Sequence, residues 1–539
     1  MPTIARGERS APGPGGRTFA ELRTAGAYLK GLGPFLTRRQ GVGESIVRLE
    51  GQMARRRQTF AAVLQRAVFA NPKSPYRRLF EWARITQADV DRLLADTGLE
   101  GTLERLHDAG VHVHLDEFKG VRPIRRPGLE LDVRAEDFDN PLTTRQYEAR
   151  TGGSSGAARR IHIDLDLLEH ESAYHALFLA AAGASDRALA IWHPAPPGAV
   201  GIKTALIRSK LGRPAERWFS QTPLDAGSLK HAAFTRATAL AARLCGTPIP
   251  MPEYTPAQDV GRVAAWLAQK CAQGTPAVLL TTASGGVRTC TAAIEAGLDI
   301  RDTLFVLGGE PFTPAKAEVI ARTGSRAASQ YAMVEAGAIG VACQAATMPD
   351  DVHLLSDKIA TIRRDLRVGT SGRALAALFH TTLLHASPKI MLNVESGDYG
   401  VMEERDCGCS VLPPPFRRHL HTIRSYEKLT SEGMSFLGGD LLTLVEHVLP
   451  ARFGGYPTYY QFVEREHAGL PKVCLIVDRA VGKLDPAHVV DTVLDFLRQR
   501  GLATAMIADM WTQGRTLDVL RGDSHVTSGG KIQPLQVVG

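Results

Sequence analysis

The chain has 539 residues, of which 44% are hydrophobic and 22% charged, with a formal net charge of +8. That length predicts about three or four domain-sized units, or one large domain with a small one, and the composition is that of an ordinary globular protein. No run of about 18 apolar residues is present, so no membrane span is expected, and the positive charge is scattered, which suits anionic substrates and gives no nucleic-acid partner.

Residues 1–17 are rich in Gly, Pro, Ala and Arg and lack an apolar segment. They are expected as a disordered tail, not a signal peptide. Seven cysteines, an odd number at irregular spacing, point to a reducing compartment and a cytoplasmic location. Residues 18–109 have helical character. Ala61–Leu64 and Val68-Phe69 form an apolar face behind the basic cluster Arg55–Arg57, Asn71–Pro75 breaks it, and Thr86-Gln87-Ala88-Asp89 has the form of a capped helix start.

Residues 142–149 and 160–165 are strand-like and flank Arg150-Thr151-Gly152-Gly153-Ser154-Ser155-Gly156, a stretch with three glycines and three hydroxyls. Glycines let a backbone turn its N–H groups inward, and such a nest binds anions. Arg150, Arg159 and Arg160 add positive charge, so a polyphosphate is one guest for this loop, and a plain surface loop is the alternative. No Gly-Lys-Ser/Thr closes it, so it is not a Walker loop.

From Gly110 to about Val411, short apolar runs alternate with helical stretches such as 260–273 and 290–297. This alternation predicts an α/β fold with largely parallel, buried strands, whose C-terminal ends carry ligands. Three expected strands run into loops: Ala188–Trp192 into His193-Pro194, Ala277–Leu280 into Ser284-Gly285-Gly286, and Thr303–Leu307 into Gly308-Gly309. These loops are the expected pocket for a small molecule, with Trp192, His193, Ser284, Gly285 and Gly308 as its substrate-binding residues. Trp192 and Phe312 suit either an aromatic substrate or the core. After Pro413–Pro415, and beyond Arg424, a smaller α+β unit follows. It has strands at 472–477 and 504–507 and an amphipathic helix at 488–500.

Further motifs punctuate this order. Thr151–Gly156 is similar to a Ser/Thr-Ser-Gly-Thr-Thr-Gly phosphate loop, Gly308-Gly309-Glu310-Pro311-Phe312 to Gly-Ala-Glu-Pro-Trp, and Tyr331-Ala332-Met333-Val334-Glu335 to Tyr-Gly-x-Ser/Thr-Glu. Ser396-Gly397-Asp398, Arg424 with Gly433, and Ser528-Gly529-Gly530-Lys531-Ile532 follow. In this sequence, over roughly residues 70–539, the motifs resemble the adenylate-forming superfamily, most closely its phenylacetate–CoA ligase branch.

The resemblance implies a helical N-terminal extension (18–69), a large adenylation domain with mainly parallel sheets (70–423) and a small mobile α+β domain (424–539) carrying the lysine motif. It implies an ATP-dependent acid ligase that forms an acyl- or aryl-adenylate, releases pyrophosphate and passes the acyl group to an acceptor, CoA being the family default. Carboxylate and α-phosphate are both anions, so cations and aimed donors must offset their repulsion. By resemblance, Thr151, Gly152, Gly153, Ser154, Ser155 and Gly156 hold the β- and γ-phosphates, with Gly309, Glu310 and Pro311 also against the nucleotide. Tyr331 packs on adenine, Asp398 accepts from the ribose with Arg424 nearby, Glu335 helps bind Mg²⁺ and Lys531 meets the developing charge.

The branch pattern also has Glu-Cys, a His and Cys-x-Cys, here Ala342-Cys343, His353 and Cys407-Gly408-Cys409. By resemblance, Cys343, His353, Cys407 and Cys409 form a closed structural Zn²⁺ set. Three reduced cysteines beside an unrelated histidine are the alternative. Asp357 is a further nearby candidate, expected as a surface charge.

Departures stand at Ala157-Ala158 in place of Lys-Pro, at Ala332 in place of glycine, at Val334 where a hydroxyl would meet the α-phosphate, and at Tyr426-Glu427 in place of a hinge Asp-Asp. They keep open a non-catalytic nucleotide- or acyl-binding relative. An amine, a carrier protein or a reductase stays open as the acceptor, as does a homo-oligomer.

Overall fold

The computed structural model describes residues 14–143, 146–150, 160–196, 198–224, 229–368, 373–426, 430–431, 434–435, 438–467, 470–500, 505, 508–509, 511–512, 517–527 and 529–538. The helical N-terminal stretch forms as Pro14–Thr37, Val42–Val63, Pro75–Ala83 and Gln87–Asp108. The first helix opens on Pro14, a residue suited to a helix first turn, so residues 14–17 are helical and not tail, and residues 1–13 lie outside the described set. Thr86 and Asp89 make the expected reciprocal cap: Asp89 N–H donates to Thr86 Oγ1 (3.3 Å) and Thr86 N–H to Asp89 Oδ2 (2.8 Å).

The stretch 18–69 is no loose appendage. Tyr28, Leu32, Leu36 and Leu49 share one buried cluster with Leu189, Ile191 and Val278 of the sheet, and Phe60, Val63 and Leu64 share another with Leu378 and Phe379. Removing these helices would expose the apolar flank of the large unit, at about 25 cal/mol per Å² of apolar surface.

A 12-stranded sheet organises the large unit. One half, from Pro252–Tyr254 through Arg217–Ser220, Leu189–Trp192, Val278–Thr282 and Leu304–Gly308 to Arg326–Met333, is parallel throughout. Its central strands are apolar on both faces because helices cover both sides. The other half, from Gly337–Ala342 through Val352–Leu354, Arg418–Ser425, Val394–Glu404 and Arg373–Thr382 to Ile359–Val368, is antiparallel. The expectation of parallel strands thus holds for the first half. In the second half, tight connections such as that between Met333 and Gly337 leave no room for a crossover helix.

The loop expected at Ser284–Gly286 is instead the first turn of a helix, Ala283–Glu295, capped when Thr282 Oγ1 accepts from Gly285 N–H (3.0 Å). The glycines serve close packing: a Cβ on Gly286 would stand 2.9 Å from Leu307 Cδ2.

The small unit has its own sheet. Tyr460–His467 and Leu470–Val477 pair antiparallel, with Leu517–Arg521 and Leu535–Val538 added in parallel on either side. Val489, Val493, Leu494 and Leu497 of the helix Pro486–Arg498 pack on Phe462, Val473 and Leu475. Of the expected strand at 504–507 only Ala505 is described, and it is helical, not extended. Among the described residues, no helix is long and apolar enough to cross a membrane.

Candidate active site and a cysteine–histidine cluster

Three neighbouring parallel strands end together: Leu189–Trp192, Val278–Thr282 and Leu304–Gly308. The C-terminal tail of the small unit comes to rest on these ends. Thr282 Oγ1 donates to Gly530 O (3.1 Å), and Ile532 N–H donates to Glu310 Oε1 (2.6 Å) and Ser284 Oγ (3.2 Å). The other contacts of Glu310 are from Ser284, whose N–H reaches Oε2 (2.7 Å) and whose Oγ–H reaches Oε1 (2.8 Å).

Lys531 is delivered by this docking. Its backbone N–H is held by Thr527 Oγ1 at 3.1 Å. Its side chain lies over Gly309, where φ is +81° and a Cβ would stand 2.8 Å from Lys531 Cε and 3.1 Å from Nζ. Glycine is required there on both counts. His193 is close enough to feel the ammonium: burial first, and the Lys531 charge second, push its imidazole down to about 3, so it is neutral near pH 7. A buried ion pair of Lys316 and Glu446 (2.9 Å, side chains 6% and 3% exposed) adds a second tie between the units. Thr313 Oγ1 bonds the same carboxylate, and Lys316 Nζ also donates to Pro311 O (2.9 Å).

Several expected pocket residues are thus placed differently. Trp192 is 1% exposed, packs in the core and donates its indole N–H to Thr255 O (3.0 Å), so it is a core group. Phe312 belongs to the same core cluster. Ser284 has its donors committed to Glu310, and Gly285 lies beneath it in the helix. Gly308 and His193 remain at the strand ends beside Lys531 and Gly309.

On the antiparallel side, Tyr331 OH donates to Asp398 Oδ2 (2.9 Å) and lies 3.3 Å from His380 Nε2. Burial and the Asp398 charge push the phenol well above its ordinary value. Val334 and Glu335 sit in the turn between the strands ending at Met333 and starting at Gly337, Glu335 being half-buried. Asp398 and Arg424 lie on adjoining strands, where Tyr399 pairs with Arg424. Arg424 is held in a largely buried ion pair with Asp350 (2.8 Å), whose other oxygen accepts from Thr422 N–H (2.9 Å). Tyr426 is buried, and its hydroxyl bonds Glu395. Thr151, Gly152, Gly153, Ser154, Ser155 and Gly156 lie outside the described residues, as do Glu427, Gly433 and Ser528. The flanking strands Gln146–Arg150 and Arg160–Asp164 do pair antiparallel, with Arg150 opposite Arg160.

Sequence reasoning missed the support behind the Tyr331–Glu335 hairpin. Glu171 is fully buried and takes ion pairs from Lys203 and from Lys358 (3.0 Å), plus Ala338 N–H (2.7 Å). Burial alone would raise this carboxyl; the two ammoniums outweigh it and hold it ionised. Asp357, expected as a surface charge, is 1% exposed and accepts from Tyr174 OH at 2.7 Å, with His170 Nε2 at 3.1 Å. Glu171 lies in a helix that also carries Asp166, Glu169, His170 and His175, so no local pattern marks it as the buried carboxylate.

The predicted ligand residues do meet. His353 Nε2 lies 3.0 Å from Cys409 Sγ and 3.6 Å from Cys407 Sγ. The donor atoms of Cys343, His353, Cys407 and His419 all lie within 4.8 Å of one another. Zn²⁺ bonds nitrogen at about 2.0–2.1 Å and thiolate sulfur at about 2.3 Å, so donors spaced in this way can close on one ion. His419 was not expected. It pairs with His353 across two antiparallel strands, a relation that sequence spacing does not encode.

No family model and no curated protein matches the chain. Solved structures do. 2-Hydroxyisobutyryl-CoA ligase in the postadenylation state, in complex with R3-HIB-AMP, superposes with a TM-score of 0.52 at 16% identity, covering 93% of this chain and 91% of that one. The same ligase in complex with 2-HIB-AMP gives a TM-score of 0.51 at 16% identity over the same shares. A match over nearly the whole of both chains identifies the architecture: the chain has the fold of this CoA ligase, here a large sheet with a separate small C-terminal sheet.

Proposed function

We propose that this protein is an ATP-dependent carboxylic acid ligase that makes an acyl- or aryl-adenylate, releases pyrophosphate and transfers the acyl group to CoA. The observation that carries this is the docked tail, which sets Lys531 over Gly309 at the ends of three parallel strands, beside a neutral His193. A fixed ammonium at the strand ends is what an attack of carboxylate on phosphate needs, because it offsets charge without reorganising. A ligase of the same fold, crystallised with an acyl-adenylate, supports the same chemistry.

In this reading Lys531 contacts the substrate carboxylate and the α-phosphate. Thr151–Gly156 hold the β- and γ-phosphates, with Gly309, Glu310 and Pro311 beside the nucleotide. Tyr331 packs on adenine, Asp398 accepts from the ribose once its bond to Tyr331 is exchanged, and Arg424 backs Asp398 from the next strand. Glu335, at an accessible turn, supplies an oxygen ligand for Mg²⁺, which keeps most of its waters. Domain 424–539 rotates to exchange adenylation for acyl transfer. The cysteine–histidine cluster holds a structural Zn²⁺. A cytoplasmic, biosynthetic role follows from the unpaired cysteines and the chemistry.

The test is acid-dependent pyrophosphate release over a panel of aromatic and aliphatic acids, with hydroxylamine as trap and then CoA in its place. Hydroxamate and thioester together are the expected result. Hydroxamate without thioester would assign an amine or carrier protein as acceptor. ATP binding with no pyrophosphate for any acid would overturn the ligase reading in favour of a non-catalytic relative.

A further inference from the structure

The cysteine–histidine cluster holds more donors than a tetrahedral ion can use. Three sulfurs and two imidazoles converge where Gly337–Ala342, Val352–Leu354 and Arg418–Ser425 lie side by side. Their hydrogen bonds distinguish them. His353 Nδ1 lies 3.0 Å from Phe416 O. A carbonyl only accepts, so Nδ1 carries the proton and Nε2 presents a lone pair to the cluster. His419 repeats this arrangement: its Nδ1 lies 3.1 Å from Asp351 Oδ1, and Asp351 is fixed by an ion pair with Arg405 and by Thr347 N–H (2.9 Å). The proton again sits on Nδ1. His419 Nε2, on a residue that is 0% exposed, has no hydrogen-bond partner among the described residues. A buried polar atom left in this state is costly unless something binds it.

Resting on the zinc reading above, we infer that His419 is a metal ligand and that the site is completed by two thiolates and two imidazoles: Cys343, Cys407, His353 and His419. Cys409 stands beside the ion as a spare thiol, not as the fourth ligand. The four chosen donors are the ones that lie within 4.8 Å of one another. Their charge also suits burial, since two thiolates neutralise a divalent ion, whereas a third thiolate would leave a net negative charge. Each imidazole has its Nδ1–H held from behind, by a carbonyl for His353 and by a carboxylate for His419, the usual outer support of a histidine ligand. The ion would thereby clamp the strand carrying Arg424 to the end of the strand carrying Asp398.

The experiment uses the full chain, purified without chelator. Metal content is measured by mass spectrometry in wild type, His419→Gln and Cys409→Ser, and affinity by chelator competition. The cobalt-substituted wild type is read by absorption, where thiolate-to-metal charge-transfer intensity counts sulfur ligands. The expected result is one zinc per chain, at least about tenfold weaker binding in His419→Gln, near-wild-type binding in Cys409→Ser, and a two-thiolate cobalt spectrum. A three-thiolate spectrum, or zinc lost in Cys409→Ser and retained in His419→Gln, would overturn the assignment of His419 while leaving the metal intact. A wild type that takes up neither ion would overturn the zinc reading itself. The wild-type spectrum needs no variant, so a misfolded His419→Gln leaves the question decidable.

Discussion

Replacing Glu310 by Gln tests whether docking of the tail sets the rate of adenylation. The two oxygens of Glu310 face different donors: Oε1 takes Ile532 N–H (2.6 Å) and Ser284 Oγ–H (2.8 Å), and Oε2 takes Ser284 N–H (2.7 Å). An amide offers only one oxygen. Either Ser284 N–H or Ile532 N–H must then face an NH₂ group, and one hydrogen bond to a charged acceptor is lost, worth about 1.5–3 kcal/mol. The Ser284 bond lies within the large unit and, as the helix first turn, is the more rigid. Glutamine is therefore expected to keep it and to give up the Ile532 bond, which exists only when the lysine loop is docked. The equilibrium constant for docking should fall by about 10- to 150-fold, since each 1.4 kcal/mol is tenfold. The assay is pyrophosphate release at saturating ATP, with the melting temperature as a control for folding. Lys531→Ala provides the second arm of a double-mutant cycle: once the ammonium is gone, Glu310→Gln should add no more than about twofold. A single-variant rate within about twofold of wild type, or losses that multiply fully in the double variant, would refute the idea that Glu310 acts through Lys531.

Three further outcomes follow. Gly309→Ala should cost about 1–2 kcal/mol of stability through the positive φ, yet lower adenylation more than stability implies, because the new methyl displaces Lys531; equal rates would show that the lysine does not rest there. Glu171→Gln should destabilise the chain by about 3–5 kcal/mol in denaturant titration, since it strands two ammoniums at a buried site; a change under about 1 kcal/mol would show that water reaches them. His193 and His380 are both pushed down to about 3, mainly by burial. The unfolded chain therefore binds more protons in acid, and stability that is complete above about pH 6.5 is lost as the pH falls toward 3, by about 2 kcal/mol per histidine at pH 5. His380→Gln should flatten that fall in melting temperature, and an unchanged slope would rule His380 out as a source.

Much of the site's raw material was legible before the structure. Gly308-Gly309-Glu310, Tyr331, Asp398 and Lys531 carry the resemblance, and they do gather on one sheet and the tail that docks to it. What misled was local context. Ser284-Gly285-Gly286 has the composition of a loop, but Thr282 caps it into a helix, and Gly286 passes close to the next strand. Trp192 at a strand end could line a pocket or fill the core, and only the position of Thr255 O, which takes its indole N–H, decides for the core.

The sequence by itself determined the periodicity of helices and strands, the two-unit division and the order of the motifs, because these depend on neighbours a few positions apart. Only the tertiary structure decided the antiparallel half of the sheet, the burial of Asp357 and Glu171, the docking of Ile532 on Glu310 and the meeting of His419 with His353. Each of these joins residues far apart in the chain. Such contacts form when strand register and burial are settled for the whole sheet at once, and no local pattern encodes that settlement.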